Sequence, residues 1–255
     1  MRIKVLFFAA LVCGFGVCGF GIVWPADLWA AKGPVESYPL KIRNGKMVCP
    51  PGVPPVININ PVSNPIQYDF SKKSADLTAA MRRENNYNPY AGMADTATGG
   101  MRHDEVVTSL SIEWQIFESP DLGQACMQYK SVSVTVTLSP VVYVAQEFSK
   151  PPCRDAVIEH ELKHIEVDRR IMNAYVQAVG TLVKRAVDQT GVIGPVSIAA
   201  VEDYKTTTLE QVKQAMRDRK AALEQDQYNL QAEVDSRAEY DRISAICKGP
   251  VRLER

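Results

Sequence analysis

Histidine is scarce in this chain: there are three in 255 residues. An imidazole-based site therefore has few places to be. Net charge is missing as well, with 29 basic and 29 acidic residues. Nothing resembles a basic run or an interleaving of aromatic and basic residues, which removes nucleic acid from the expected partners. No repeat of fixed period is visible. With 46% hydrophobic and 23% charged residues, the chain is not a disordered one, and it is long enough for one large domain or two small ones.

Charge is also absent locally. After Arg2 and Lys4, the segment from Val5 to Val23 carries none. A positive start, an apolar run and small residues near Ala30 read as an export signal over residues 1–30. The run is long, so an uncleaved membrane anchor is the rival reading. Val12 and Val17 precede Cys13 and Cys18, which disfavours a lipoprotein. Without the leader, four cysteines remain: Cys49, Cys126, Cys153 and Cys247. An even count in an exported chain points to disulfides. The protein is then expected in the periplasm or outside the cell, at the membrane only if the leader stays.

Residues 31–65 are Pro-rich and read as an extended or strapping segment, without helix or long strand. Residues 66–248 read as one domain. "IQYDF" suggests a short strand and "SADLTAAMRRE" a helix capped by Ser74. Residues 88–104 look like a loop. "VVTSLSIEWQIFES" and "SVSVTVTL" alternate as half-buried strands do, and "PVVYVAQEF" reads as a further strand or a lead-in. From residue 154 to 189 apolar residues recur at threes and fours, from Ile158 to Val187, apart from one seven-residue step that skips Arg169. "TGVIGP" ends that helix, and a second one is expected from about Thr208 to Cys247. The expected fold is α+β: a small antiparallel sheet with a short helix, then a long antiparallel helical hairpin.

Two of the three histidines sit in "HELKH" at the start of the first long helix. His160 and His164 are one turn apart on one face, so both imidazoles can reach one metal, with Glu161 beside them as general base for a water. Lys163, Glu166, Glu159 and Arg170 fall on the opposite arc, a sorting that a simple charged face would not produce.

Four segments together resemble a family of uncharacterised bacterial exported proteins described as predicted secreted zinc-dependent proteases. They are "QYDFSKKSADLTAAMR", "SIEWQIF" followed by Cys126, "SVSVTVTL", and "HELKH" with the helix pair ending in "AEYDRI". The likeness spans roughly residues 65–245. It implies an exported α+β metallopeptidase-like domain, with His160 and His164 as zinc ligands and Glu161 as base. The family's Tyr-Asp pair corresponds to Tyr240 and Asp241. Where the family carries a histidine soon afterwards, this chain has Ser244, Ile246 and Cys247.

A catalytic zinc needs a third protein ligand. His103 lies in the loop-like segment. Asp168 shares the face of His164 two turns from His160 and suits support of a ligand rather than ligation. Equal rise along two antiparallel helices sets Leu162 opposite about residue 235. On the second helix the face bearing Leu223 and Leu230 also bears Glu233 and Asp241, while Glu224, Asp235 and Glu239 point away. Glu233 is thus the first candidate and Asp241 the second, with internal ion pairs as the competing use of these carboxylates. Tyr240 or Tyr175 could steady an oxyanion. The same register brings Cys153 near Cys247, which would leave Cys49 for Cys126; Cys126–Cys153 is the rival pairing.

The function expected is an exported zinc-dependent metallohydrolase, a peptidase acting on an unidentified peptide or protein. The alternative is a non-catalytic envelope protein whose helical hairpin binds a partner.

Overall fold

Along the chain, partners for the long strand "QACMQYKSVSVTVTLSPVVYV" come from both sides, and this strand organises the sheet. The structure, a computed structural model, describes residues 41–84 and 98–247. The leader reading and the first part of the Pro-rich segment lie outside the described residues. Strands β1 (Lys41–Arg43) and β2 (Lys46–Val48) form a small antiparallel pair. Asn44 and Gly45 turn it with φ of 52° and 70°, the doubly left-handed backbone that a two-residue hairpin turn requires.

The Pro-rich segment also holds an eight-residue strand, β3 (Val56–Ser63), so the expectation of no long strand there is wrong. Proline is tolerated because β3 bonds only to its one neighbour, where an edge position leaves the missing N–H without consequence. The remaining strands are β4 (Gln67–Asp69), β5 (Gly100–Ser119), β6 (Gln124–Val144) and β7 (Ile193–Ser197). Every one of β3, β4, β5 and β7 bonds to β6. β5 lies antiparallel along its whole length, from Gly100 opposite Val144 to Ser119 opposite Gln124. On the other side β3 and β4 join parallel and β7 antiparallel. The antiparallel pairing that alternation suggested is present, and two parallel strands extend it. Residues 100–104 belong to β5 rather than to a loop, and "TGVIGP" supplies most of β7.

Period two decides which face of β6 is covered. Val132, Val134, Val136, Leu138, Val142 and Val144 are all buried, while Ser131, Ser133, Thr135 and Thr137 on the other face are partly exposed. Each such apolar side chain, fully buried, contributes about 1.5–3 kcal/mol relative to exposure.

Helix α1 (Ser74–Glu84) packs Leu77 near Met101 of β5. Helix α2 (Cys153–Thr190) lays Met172, Tyr175, Val179, Val183 and Val187 on the covered face. It stops at Gly191, whose φ is 56°. Helix α3 (Val201–Val234) adds Val212 and Met216 to the same core. It begins seven residues before the expected start. It also does not continue to Cys247: the backbone breaks at Asp235, with ψ of 33°, and resumes as α4 (Arg237–Cys247). Ser236 starts α4, its hydroxyl 3.4 Å from the backbone N of Glu239. That is one half of a capping box.

A second apolar cluster seats α4. Tyr240 and Ile243 pack with Val142, Val144, Val157 and Ile165. Two disulfides complete the fold: Cys49–Cys126 ties the segment after β2 to β6, and Cys153–Cys247 joins the first residue of α2 to the last of α4. Cys126–Cys153 is not formed. Such bonds suit an oxidising compartment. Among the described residues, no helix is long and apolar enough to cross a membrane.

Candidate metal centre

His160 and His164 project from the first part of α2, where the helix passes between β5 and the break in α3. Their positions four apart bring the rings edge to face on one side of the helix, with centroids 4.7 Å apart. Both are buried, at 2% and 6% exposure. Asp235 meets them from the break. His164 Nε2 lies 3.2 Å from His160 Nε2 and 3.0 Å from Asp235 Oδ1, and His160 Nε2 lies 3.4 Å from the same oxygen. These three atoms form a near-equilateral triangle. Ligands about 2.0–2.1 Å from a tetrahedral metal are separated by about 3.3 Å. The donor set therefore fits one metal ion, and His160, His164 and Asp235 are the group of His, Cys and acidic residues among the described residues that could hold one.

Hydrogen bonds alone leave this arrangement incomplete. Two ring nitrogens and a carboxylate oxygen converge, and the hydroxyl of Tyr240 donates to that same Asp235 oxygen. His160 Nδ1 is buried without a hydrogen bond, its nearest acidic oxygen being that of Glu239 at 3.6 Å. His164 Nδ1 is paired with the side-chain carbonyl of Gln231.

Charge follows the geometry. Burial pulls the His164 pKa down, but the hydrogen bond and negative charge of Asp235, helped by Glu161, outweigh it, and the net shift is upward. Burial pushes Asp235 up, and hydrogen bonds from His160, His164 and Tyr240 more than reverse it, leaving the carboxyl far below its usual range. In the metal-free protein these two groups thus pair as imidazolium and carboxylate. The raised histidine stabilises the fold fully below its unfolded pKa of about 6.5, and the effect is lost as pH rises through the higher folded value. The lowered aspartate stabilises above about 3.9, and the effect is lost as pH falls through its folded value. The pair therefore works fully between those limits. Urea unfolding of metal-free protein should show this stability at pH 5 and lose part of it toward pH 9, a loss missing in Asp235→Asn. An equal loss in both proteins would exclude the pair as its source.

Glu161 is buried at 4% exposure and lies against the backbone of β5. A Cβ on Gly100 would come within 2.7 Å of Glu161 Oε1 and 2.4 Å of Val157, so only glycine lets the strand approach the carboxylate so closely. Glu161, the two histidines, Asp235 and Tyr240 face a cleft of about 320 Å³, walled by Gly100–Arg102 on one side and by Glu224, Gln227, Tyr228 and Gln231 of α3 on the other.

Several expected positions change. Glu233 and Asp241, the two candidate third ligands, are exposed, and Asp241 lies 4.0 Å from Arg237 instead. Asp235, Glu239 and Glu224, expected to point away, all turn inward: one completes the triangle, one approaches His160, and one lines the cleft. For Asp235 and Glu239 the cause is the break after α3, which rotates everything beyond Val234 out of the phase of a continuous helix; Glu224, inside α3, is an exposed residue at the rim of the cleft. His103 is an exposed residue of β5. The Tyr175 hydroxyl is in the core, 3.4 Å from the carbonyl oxygen of Met216. Asp168 stands one residue removed from His164, accepting from Gln227 and Gln231.

The fold and the site define an α+β chain with a buried group of two histidines and one carboxylate able to hold a metal ion. Comparison with protein-family models, characterised proteins and solved structures yields no match.

Proposed function

We propose that this protein is an exported zinc-dependent metallohydrolase acting on peptide bonds, with α2 and α3 as the helical hairpin that carries H-E-x-x-H. The observation that carries this reading is the triangle of His160 Nε2, His164 Nε2 and Asp235 Oδ1, with edges of 3.0 to 3.4 Å, open to a cleft that also holds a buried glutamate. Two imidazoles and one carboxylate are a usual ligand set for catalytic zinc. When bound, the ion supplies Lewis acidity toward water and toward a carbonyl oxygen.

The chain's own groups do the rest. Glu161 does not belong to the triangle, so its carboxylate can accept the proton of an attacking water and return it to the leaving amine. Burial beside Gly100 fixes that carboxylate's position. Tyr240 holds Asp235 through its hydroxyl, which makes orienting the ligand its first role. The likeness of four segments to secreted zinc-dependent proteases supports the peptidase assignment. The two disulfides and the charge-free N-terminal run support export.

Glu161→Gln should keep zinc and fold but lose about 10²- to 10⁴-fold in hydrolysis, since an amide cannot take the water's proton. The measurement is cleavage of a quenched-fluorescence peptide library by wild type and variant, with zinc by elemental analysis. Unchanged cleavage would remove Glu161 as the base. Wild type holding no more zinc than His160→Ala/His164→Ala would remove the metal.

A further inference from the structure

Five side chains lie behind His164 that the proposed chemistry does not use. Asp168 on α2 is buried, with Oδ1 accepting from Gln227 Nε2 at 2.6 Å and from Gln231 Nε2 at 2.8 Å. Its other oxygen is 3.3 Å from Arg102 Nε, and Arg102 Nη1 is 2.8 Å from Asp104 Oδ2. Burial, then the neighbouring Asp168 carboxyl, raises the Asp104 pKa well above the usual carboxylate range. Gln231 has a second acceptor on the same side, the backbone oxygen of His164 at 3.3 Å.

From this arrangement we infer that Asp168 and Gln231 are positioning residues that lock His164 in one tautomer. Asp168 and the His164 carbonyl can only accept, so the amide nitrogen of Gln231 must face them. Its carbonyl oxygen is then the atom left for His164 Nδ1. A carbonyl cannot donate, so Nδ1 must carry a proton. In the neutral ring the lone pair is therefore on Nε2, the nitrogen that meets His160 and Asp235. Arg102 and Asp104 hold Asp168 from β5, so the strand walling the cleft also sets the ring state of a ligand on α2. Behind His160 no hydrogen bond fixes the ring: its Nδ1 has only the Glu239 carboxylate at 3.6 Å. The geometry of the lock is independent of any metal; its consequence for affinity rests on the zinc reading above.

Asp168→Asn tests it. Asparagine can present either oxygen or nitrogen, so the shorter of the two contacts that orient Gln231 is released, only the 3.3 Å contact to the His164 carbonyl remains, and the amide can flip. The flipped amide donates to Nδ1 and moves the ring proton to Nε2. The readout is the ¹⁵N shifts of the His164 ring in metal-free protein, above the pH at which the imidazolium loses its proton, beside zinc affinity by competition with a chelator. Wild type should show a single Nδ1–H form. Asp168→Asn should show a mixture, with zinc affinity about 10- to 100-fold weaker. Gln227→Leu removes a contact of Asp168 without freeing Gln231 and should keep the Nδ1–H form. Wild type with the proton on Nε2 overturns the inference, and so does a single Nδ1–H form in folded Asp168→Asn. The wild-type spectrum decides the point even if Asp168→Asn does not fold. A locked ring in a wild type that binds no zinc would leave the lock standing and remove the metal reading alone.

Discussion

On the proposed zinc reading, Asp235→Ala is expected to abolish zinc binding, while Glu233→Ala and Asp241→Ala leave it intact. All three remove one carboxylate from a stretch of nine residues, so charge alone does not distinguish them. Position does. Asp235 Oδ1 is 3.0 and 3.4 Å from the two histidine nitrogens, and Glu233 and Asp241 are exposed. With one of three protein ligands gone, the affinity loss should exceed the roughly 10- to 100-fold typical of an outer-shell partner. Zinc titration against a competing chelator measures it. Retention of zinc by Asp235→Ala, with loss in Glu233→Ala, would return the third ligand to the position expected from a continuous helix.

The second large effect concerns Cys153–Cys247. This bond closes 94 residues of sequence, and in the chain-entropy picture a loop of that length is worth about 4 to 5 kcal/mol. Replacing both cysteines with serine should lower unfolding free energy by about 2–5 kcal/mol in urea. Metal affinity should fall as well. α4 begins immediately after Asp235 and carries Tyr240, and the disulfide anchors its far end. Cys49–Cys126 closes 77 residues and should stabilise by a similar amount, but it lies at the other end of β6. Cys49→Ser/Cys126→Ser should therefore lose stability and keep its metal. If the two double variants weaken zinc binding equally, α4 is not what links Cys153–Cys247 to the site.

Much of this could be read before any coordinates. α2 was legible because its apolar residues keep helical spacing over thirty residues, from Ile158 to Val187. β6 was legible because valine alternates with serine and threonine. The His160–Glu161–His164 motif was legible because ligands four apart in one helix need no knowledge of tertiary structure. β3 was hidden by its prolines, since local propensity cannot show that a strand bonds on one side only. Asp235 was hidden by an assumption of phase. The axial register was close: His164 meets Gln231, two residues from the position a line through Leu162 and residue 235 gives. Rotation was what failed. The signal was present in Ser236-Arg237-Ala238-Glu239, a helix-start pattern placed inside an apparently unbroken helix. Gln231 carries no such signal, because a glutamine on a polar helix face looks the same whether or not it meets a histidine.

That every other strand of the main sheet bonds to β6 has a consequence in time. β3 and β4 precede their partner by about seventy-five residues, so a ribosome must finish residues 124–144 before either has anything to pair with. Until then "VININPVS" is an open strand edge, the kind of surface that invites wrong partners. Contacts this distant along the chain also slow folding, because loop closure precedes the reward. Any folding intermediate in which β6 is not yet formed therefore leaves the β3 and β4 edges unpaired.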